Sequence, residues 1–201
     1  MASQVDICNY ALTKLGEKRI ISLSDNTPAS NALSAIYSLT LDDLLRSYNW
    51  NFAIKRVQLA ADSAVPAYDY TLQYTLPSDC LRVVQVGKYY VDQNLSDLIQ
   101  SEYSPYVIEG KKILTDKAAP LRVRYVRRVT NSEEFDSTFV NAFACRLAME
   151  IAEEITQSNT KRDLAARELK QAISTALHSD AIENPPQHRP DGSWMQSRYI
   201  T

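Results

Sequence analysis

Glycine is scarce in this chain. Four in 201 residues leave no material for the glycine-rich loops that cradle phosphates, so nucleotide sites of that kind are excluded. Cysteine is scarce too, and odd in number. Cys8, Cys80 and Cys145 lie far apart with no Cys-x-x-Cys pair, which argues against both a metal centre and a disulfide framework. Each reads as a small buried apolar residue. The two histidines, His178 and His188, lack the spacing of a zinc motif. Basic charge is not in excess either. A formal net charge of -2 is unlike that of a protein that grips nucleic acid directly. No apolar run approaches the roughly 20 residues that span a bilayer, and the N-terminus has no basic-then-apolar signal pattern. The expectation is a soluble protein made in a cytosol, large enough to bury a core without staples, with no cofactor and no metal.

What is present is helical periodicity. The stretch Phe135 to Leu177 organises the rest. Phe135, Phe139, Phe143, Leu147, Ile151 and Ile155 recur every fourth residue and form one apolar stripe. Beside them Val140, Ala144, Ala148 and Ala152 make a thin row that lets another helix approach closely. Ser158-Asn159-Thr160 interrupts the pattern, and Thr160 with Asp163 predicts an N-cap pair. A second run follows in Leu164, Ala165, Leu169, Ala172, Ile173, Ala176 and Leu177. Two amphipathic helices on a short polar link pack antiparallel.

Upstream, Ser3 with Asp6 predicts a helix start, Val5, Cys8, Leu12 and Leu15 share one face, and Gly16 predicts the stop. The link Ile20 to Ser24 is apolar enough to lie on the core. Asn26-Thr27-Pro28 opens a second helix, which carries Ala29, Leu33, Ile36, Tyr37, Thr40, Leu44 and Tyr48 at helical spacing, with Asp42 and Arg46 four apart as a surface pair.

From Trp50 to about Arg128 the chain reads as strands. Tyr68, Tyr70, Leu72, Tyr74 and Leu76 alternate with polar residues, which predicts a half-buried strand. Pro77-Ser78-Asp79 predicts a turn and Leu81 to Val86 the returning strand. Tyr106 to Glu109 and Lys112 to Thr115 flank Gly110-Lys111 as a hairpin. Ser96 to Gln100 reads as a turn of helix. Leu121, Val123 and Tyr125 point one way; Arg122, Arg124 and, less regularly, Arg127 point the other.

The expected class is therefore α+β, mainly α: a four-helix bundle with an antiparallel β-rich insertion and an extended C-terminal arm. The expected domains are 1–49 with 129–179 for the bundle, 50–128 for the insertion and 180–201 for the arm. The arm holds Pro185, Pro186, Pro190 and Gly192 and cannot build a core of its own. It nevertheless carries Trp194, Met195, Tyr199 and Ile200, which require a surface to dock on.

Five blocks of sequence, in order, resemble phage tail tubular protein A. They are Asn9-Tyr10-Ala11-Leu12 with Leu15-Gly16-Glu17 and Ile21-Ser22-Leu23; Leu44-Leu45 with Tyr48-Asn49-Trp50-Asn51-Phe52-Ala53; and Tyr74-x-Leu76-Pro77-x-Asp79-Cys80-Leu81-Arg82. The last two are Phe139-x-x-Ala142-Phe143-Ala144 running into Leu147-Ala148-x-Glu150-x-Ala152, and Asp180-Ala181-x-Glu183 with Ser193-Trp194-x-x-x-Arg198. The resemblance implies a virion protein, a head-to-tail connector or adaptor. It implies a homo-oligomeric, twelve-fold ring beneath the portal protein, joined below to the distal tail protein. Genome DNA passes through the lumen without sequence-specific binding, and no membrane is involved. The arm is then expected to embrace the portal through Trp194, Met195, Arg198 and Tyr199.

Arg122, Arg124, Arg127 and Arg128 are the one basic cluster. They line a lumen, contact a neighbouring subunit, or form a plain solvated strand face. A conduit must let DNA slide, and phosphate contacts by arginine hold strongly, so low basic charge suits passage. The twelve tyrosines crowd the strand region as strand formers. An alternative is a tail-associated glycan or peptidoglycan hydrolase. Its candidate carboxylates are Glu150, Glu153 and Glu154, whose spacing is that of an ordinary charged helix face, and Ser78 lacks the context of a nucleophile. The reading is non-enzymatic. A third class, a helical interaction module, is separated from an adaptor by its size in solution.

Overall fold

In a computed structural model, the structure describes residues 2–87 and 106–183. The protein is α+β. Among the described residues four helices run α1 Gln4–Leu15, α2 Pro28–Ser47, α3 Ser137–Thr156 and α4 Asn159–Glu183. The strands are β1 Ile54–Leu59, β2 Leu72–Thr75, β3 Cys80–Val86, β4 Tyr106–Glu109, β5 Lys112–Thr115 and β6 Leu121–Arg127. They form two antiparallel three-stranded sheets, ordered β1-β6-β3 and β2-β5-β4. The chain divides into a helical unit, Met1–Ala53 with Arg128–Asn184, and a β unit whose described part lies within Ile54–Arg127.

In the helical unit each helix starts where a side chain can satisfy free backbone donors. Ser3 and Asp6 form a capping box at α1, and Gly16 ends it with φ +70. Thr27 caps α2 in a second box with Ser30, and Pro28 takes the first turn, where its missing N–H costs nothing. Asp136 caps α3, accepting from the Thr138 N–H at 3.0 Å. α4 begins earlier than the Thr160–Asp163 pattern predicts. Gln157 closes α3 in the left-handed region, and Ser158 Oγ then accepts from the Lys161 N–H at 3.4 Å, so Thr160 is already inside the helix. Helix α4 also continues through Glu183, into the stretch assigned to the arm. Ala176 and Asp180 keep its buried face going, and the first residue that cannot continue a helix is Pro185.

Helix α3 is central and touches α1, α2 and α4. Its stripe is buried over most of its length: Phe139, Phe143, Ala144, Leu147, Ala148 and Ala152 are fully enclosed, whereas Val140 and Ile155 are half-buried and Phe135 lies just before the helix begins. Trp50 joins this core instead of opening a strand. It is 1% exposed, its indole N–H donates to the Leu44 carbonyl at 2.9 Å, and its ring meets Phe139 edge-on at 4.9 Å. A 3-10 turn, Asn51–Ala53, follows, and strand geometry starts only at Ile54. The aromatic cluster is completed by Phe52, Phe135, Phe143 and Tyr37.

The loop after α1 is anchored at one point. Asn9 accepts from the Ile20 N–H at 2.8 Å and donates to its carbonyl at 2.9 Å, so Ile20 is buried while Ile21 is 90% exposed. The expected pairing of Asp42 with Arg46 gives way to a tertiary one. Asp42 is gripped by Arg128, whose Nε donates at 2.7 Å, and Asp43 faces Arg146 at 3.3 Å.

In the β unit Tyr74, Ile113, Leu121, Val123 and Tyr125 form the core. The Gly110-Lys111 hairpin is present, with Glu109 opposite Lys112 and Gly110 at φ +60, the region a two-residue loop demands. Two expectations are corrected. The alternation from Tyr68 to Leu76 yields a strand only over Leu72–Thr75, because Asp69 turns into positive φ and leaves Tyr68 78% exposed. The segment after Pro77 is not the returning partner of β2. The Cys80 N–H closes a turn on the Pro77 carbonyl at 3.0 Å, and the chain leaves one sheet for the other: β2 pairs with β5, β3 with β6. The reading at Ser96 to Gln100 falls outside the described residues.

Candidate functional site: an arginine face on the β1-β6-β3 sheet

Strand β6 is the middle strand of its sheet and alternates from Leu121 to Tyr125, after which Val126 is buried as well. Leu121, Val123 and Tyr125 are buried, whereas Arg122 is exposed and Arg124 partly so. Directly paired residues on neighbouring strands project to the same side. The register therefore sets Gln58 beside Arg122, and sets both Arg56 of β1 and Gln85 of β3 beside Arg124. A bulge between Cys80 and Arg82 brings Arg82 onto this side opposite Val126. Among the described residues of its three strands, one sheet face thus carries four arginines, Arg56, Arg82, Arg122 and Arg124, two glutamines, Ile54 and the buried Val126, and no carboxylate.

Arg56 and Arg124 stand directly opposite each other. Like charges in that position destabilise a sheet, so the arrangement is costly to the isolated fold. The Nε of Arg124 is shielded from solvent and has no hydrogen-bond partner. Of the residues singled out in the sequence, the strand brings Arg122 and Arg124 together but not the other two. Arg127 pairs with Cys80, out of phase with them. Arg128 belongs to the helical unit and is bound to Asp42. Arg56 and Arg82 were missed. The Ile54-Lys55-Arg56-Val57-Gln58-Leu59 alternation was there to read, but the pairing that brings Arg56 beside Arg124 joins residues far apart in sequence.

The opposite side of the same sheet is ordered by Asp79. It accepts from the Tyr125 hydroxyl at 2.9 Å and faces Lys55 at 3.2 Å. Burial alone raises its pKa, but the Tyr125 and Lys55 contacts outweigh it and hold the carboxyl below its ordinary value. The Tyr125 hydroxyl is pushed up by burial and by that carboxylate.

The helical unit has an electrostatic feature of the other sign where α3 begins and α4 ends. Asn51 donates from its backbone to the Asp180 carboxylate at 3.1 Å, and from its side chain to the Asp180 carbonyl at 2.9 Å and to Glu183 at 3.3 Å. Asp180 is 8% exposed. Its pKa is raised, chiefly by burial; the Asn51 N–H opposes this and the charges of Glu183 and Asp136 reinforce it. Residues 129–145 and 171–183 contain five carboxylates, Glu133, Glu134, Asp136, Asp180 and Glu183, and no lysine or arginine.

The other chemical candidates resolve into structural roles. Cys8 is buried and its thiol is pushed up to about 12 by desolvation, the opposite of a reactive thiolate. Glu150 pairs with Arg146 at 3.1 Å and Glu153 with Arg162 at 3.2 Å on the helix surface. Ser78 and His178 are exposed. Among the described residues no group of three or more His, Cys, Asp or Glu is placed to hold a metal ion, and no helix is long and apolar enough to cross a membrane. Trp194, Met195, Arg198 and Tyr199 lie outside the described residues. No protein-family model matches the chain, and no curated protein matches it in sequence.

Proposed function

We propose that this protein is a structural head-to-tail connector of the tail tubular protein A kind, acting in the virion by shape and not by catalysis. In this reading the helical unit builds the wall of a twelve-fold ring under the portal protein. The arm, through Trp194, Met195, Arg198 and Tyr199, locks the ring to the portal, and the β unit faces the distal tail protein or the adjacent subunit. DNA passes through without specific contacts. The observation that carries the reading is the chain order: two helices, a β unit inserted between α2 and α3, a helical pair, then a Pro-rich aromatic tail. The five sequence blocks fall on that order.

The hydrolase alternative lacks a comparable support. A glycosidase works with two carboxylates about 5–10 Å apart, one of them in an apolar setting that raises its pKa. Glu150 and Glu153 are instead engaged with arginines on the helix surface. The test is imaging of the particle together with a truncation lacking residues 182–201. The connector reading expects a ring directly below the portal and loss of portal binding by the truncated chain. Intact portal binding by the truncated chain, or turnover of peptidoglycan by the purified protein, overturns it.

A further inference from the structure

The two units of this chain carry opposite charge. Among the described residues the β unit has nine Lys and Arg against five Asp and Glu, whereas the helical unit has ten against fifteen. Neither excess is spread evenly. The basic one gathers on the face of the β1-β6-β3 sheet that carries Arg56, Arg82, Arg122 and Arg124, where Arg56 is held opposite Arg124, a like-charge pairing that costs stability. The acidic one gathers around Asn51, which binds Asp180 and Glu183 and where the charge of Asp136 is felt by Asp180; Glu133, three residues before Asp136 in the chain, is exposed.

We infer that the arginine face of one copy docks on the carboxylate end of the helical unit of the next copy, making a head-to-tail contact between identical chains. The inference rests on the ring reading and names the two surfaces that close it. Two different patches that complement each other give a heterologous interface, and repetition of such a contact closes into a ring when the rotation allows. The contact also accounts for the cross-strand arginine pair. Carboxylates of the neighbour offset the repulsion between Arg56 and Arg124, and guanidinium groups suit such interfaces because they bind carboxylates with two parallel hydrogen bonds.

The test uses the full chain and two charge reversals at exposed positions, R56E/R122E and E133K/E183K. Self-association is followed by analytical ultracentrifugation at 0.1 M and 1 M salt, between which the screening length falls from about 10 Å to about 3 Å. The wild type is expected to associate at least about tenfold more weakly at the higher salt. Each reversed variant alone is expected to be monomeric with an unchanged helical circular dichroism spectrum. An equimolar mixture of the two is expected to reassemble, because each variant's altered patch then meets its complement on the other. The neutral variant R56Q/R122Q should fall between wild type and reversal.

Association that ignores salt, or a mixture that does not restore it, overturns the proposed contact while leaving a ring intact in the particle. A wild type that stays monomeric at every salt and concentration overturns it as well. Binding of a short DNA duplex that R56E/R122E abolishes, with self-association unchanged, reassigns the face to a polyanion. Absence of a ring in the particle refutes the connector reading itself.

Discussion

Phe139 is the residue whose removal the structure makes most consequential. It is fully buried and its ring lies 4.9 Å from Trp50, 4.9 Å from Phe52, 5.1 Å from Phe135 and 6.0 Å from Phe143. Truncating a buried phenylalanine to alanine costs about 3–5 kcal/mol, transfer and cavity together. Three of these four neighbours meet the ring edge-on, a geometry worth about 0.5–1.5 kcal/mol per pair beyond area, so the upper half of that range is expected. With a urea slope of about 2 kcal/mol per molar, Phe139→Ala should move the midpoint down by roughly 2 M. Phe139→Leu keeps most of the volume and should cost about 1–2 kcal/mol. The assay is urea titration read by tryptophan fluorescence in a Trp194→Phe background, which leaves Trp50 as the reporter in contact with the altered site. A loss below about 1 kcal/mol for Phe139→Ala, or equal losses for Ala and Leu, refutes the account of this core.

Asp180→Asn should stabilise the protein at pH 7. The folded pKa of this carboxyl is raised above its ordinary 3.8, so folding favours the protonated form, and the cost of burying the charge is present in full above the folded pKa. The gain in melting temperature should shrink as pH falls through the folded pKa toward 3.8 and vanish below it; a gain that does not change with pH, or a loss at pH 7, contradicts this. Gly16→Ala should cost about 1 kcal/mol in thermal melts, with Gly16→Asn costing less. Nothing lies within 4 Å of the added carbon, so the strain is in the backbone alone, and an unchanged melting point would refute it.

The helices were legible because their signals are local. A cap needs only a side chain and a backbone donor three residues on, which is why Ser3–Asp6, Thr27–Pro28 and Gly16 could be read directly. The apolar stripe of α3 was equally plain. Thr160 misled because two hydroxyls, Ser158 and Thr160, stand two residues apart at the start of one helix, and Gln157 turns into positive φ just before the first of them.

The sheets were harder. Strand presence was visible in alternation, but partnership was not. Nothing near Pro77 tells that β2 and β3 go to separate sheets. For the same reason only half of the arginine face could be named. Arg122 and Arg124 stand out within one strand, whereas Arg56 and Arg82 arrive through pairing across long sequence separations. Arg127 was misplaced because it ends the strand out of phase with its neighbours.

Strands β1 and β6 have one further consequence. The chain leaves the helical unit at Ala53 and returns at Arg128, and Ile54 is registered against Val126, so departure and return are cross-strand neighbours about 5 Å apart. Such a junction is the width of a single peptide linker. The β unit is therefore a cassette: lengthening, trimming or exchanging it leaves the flanking ends no farther apart than before. A different module can thus be carried between the same two ends without rewriting the aromatic interior of the helical unit.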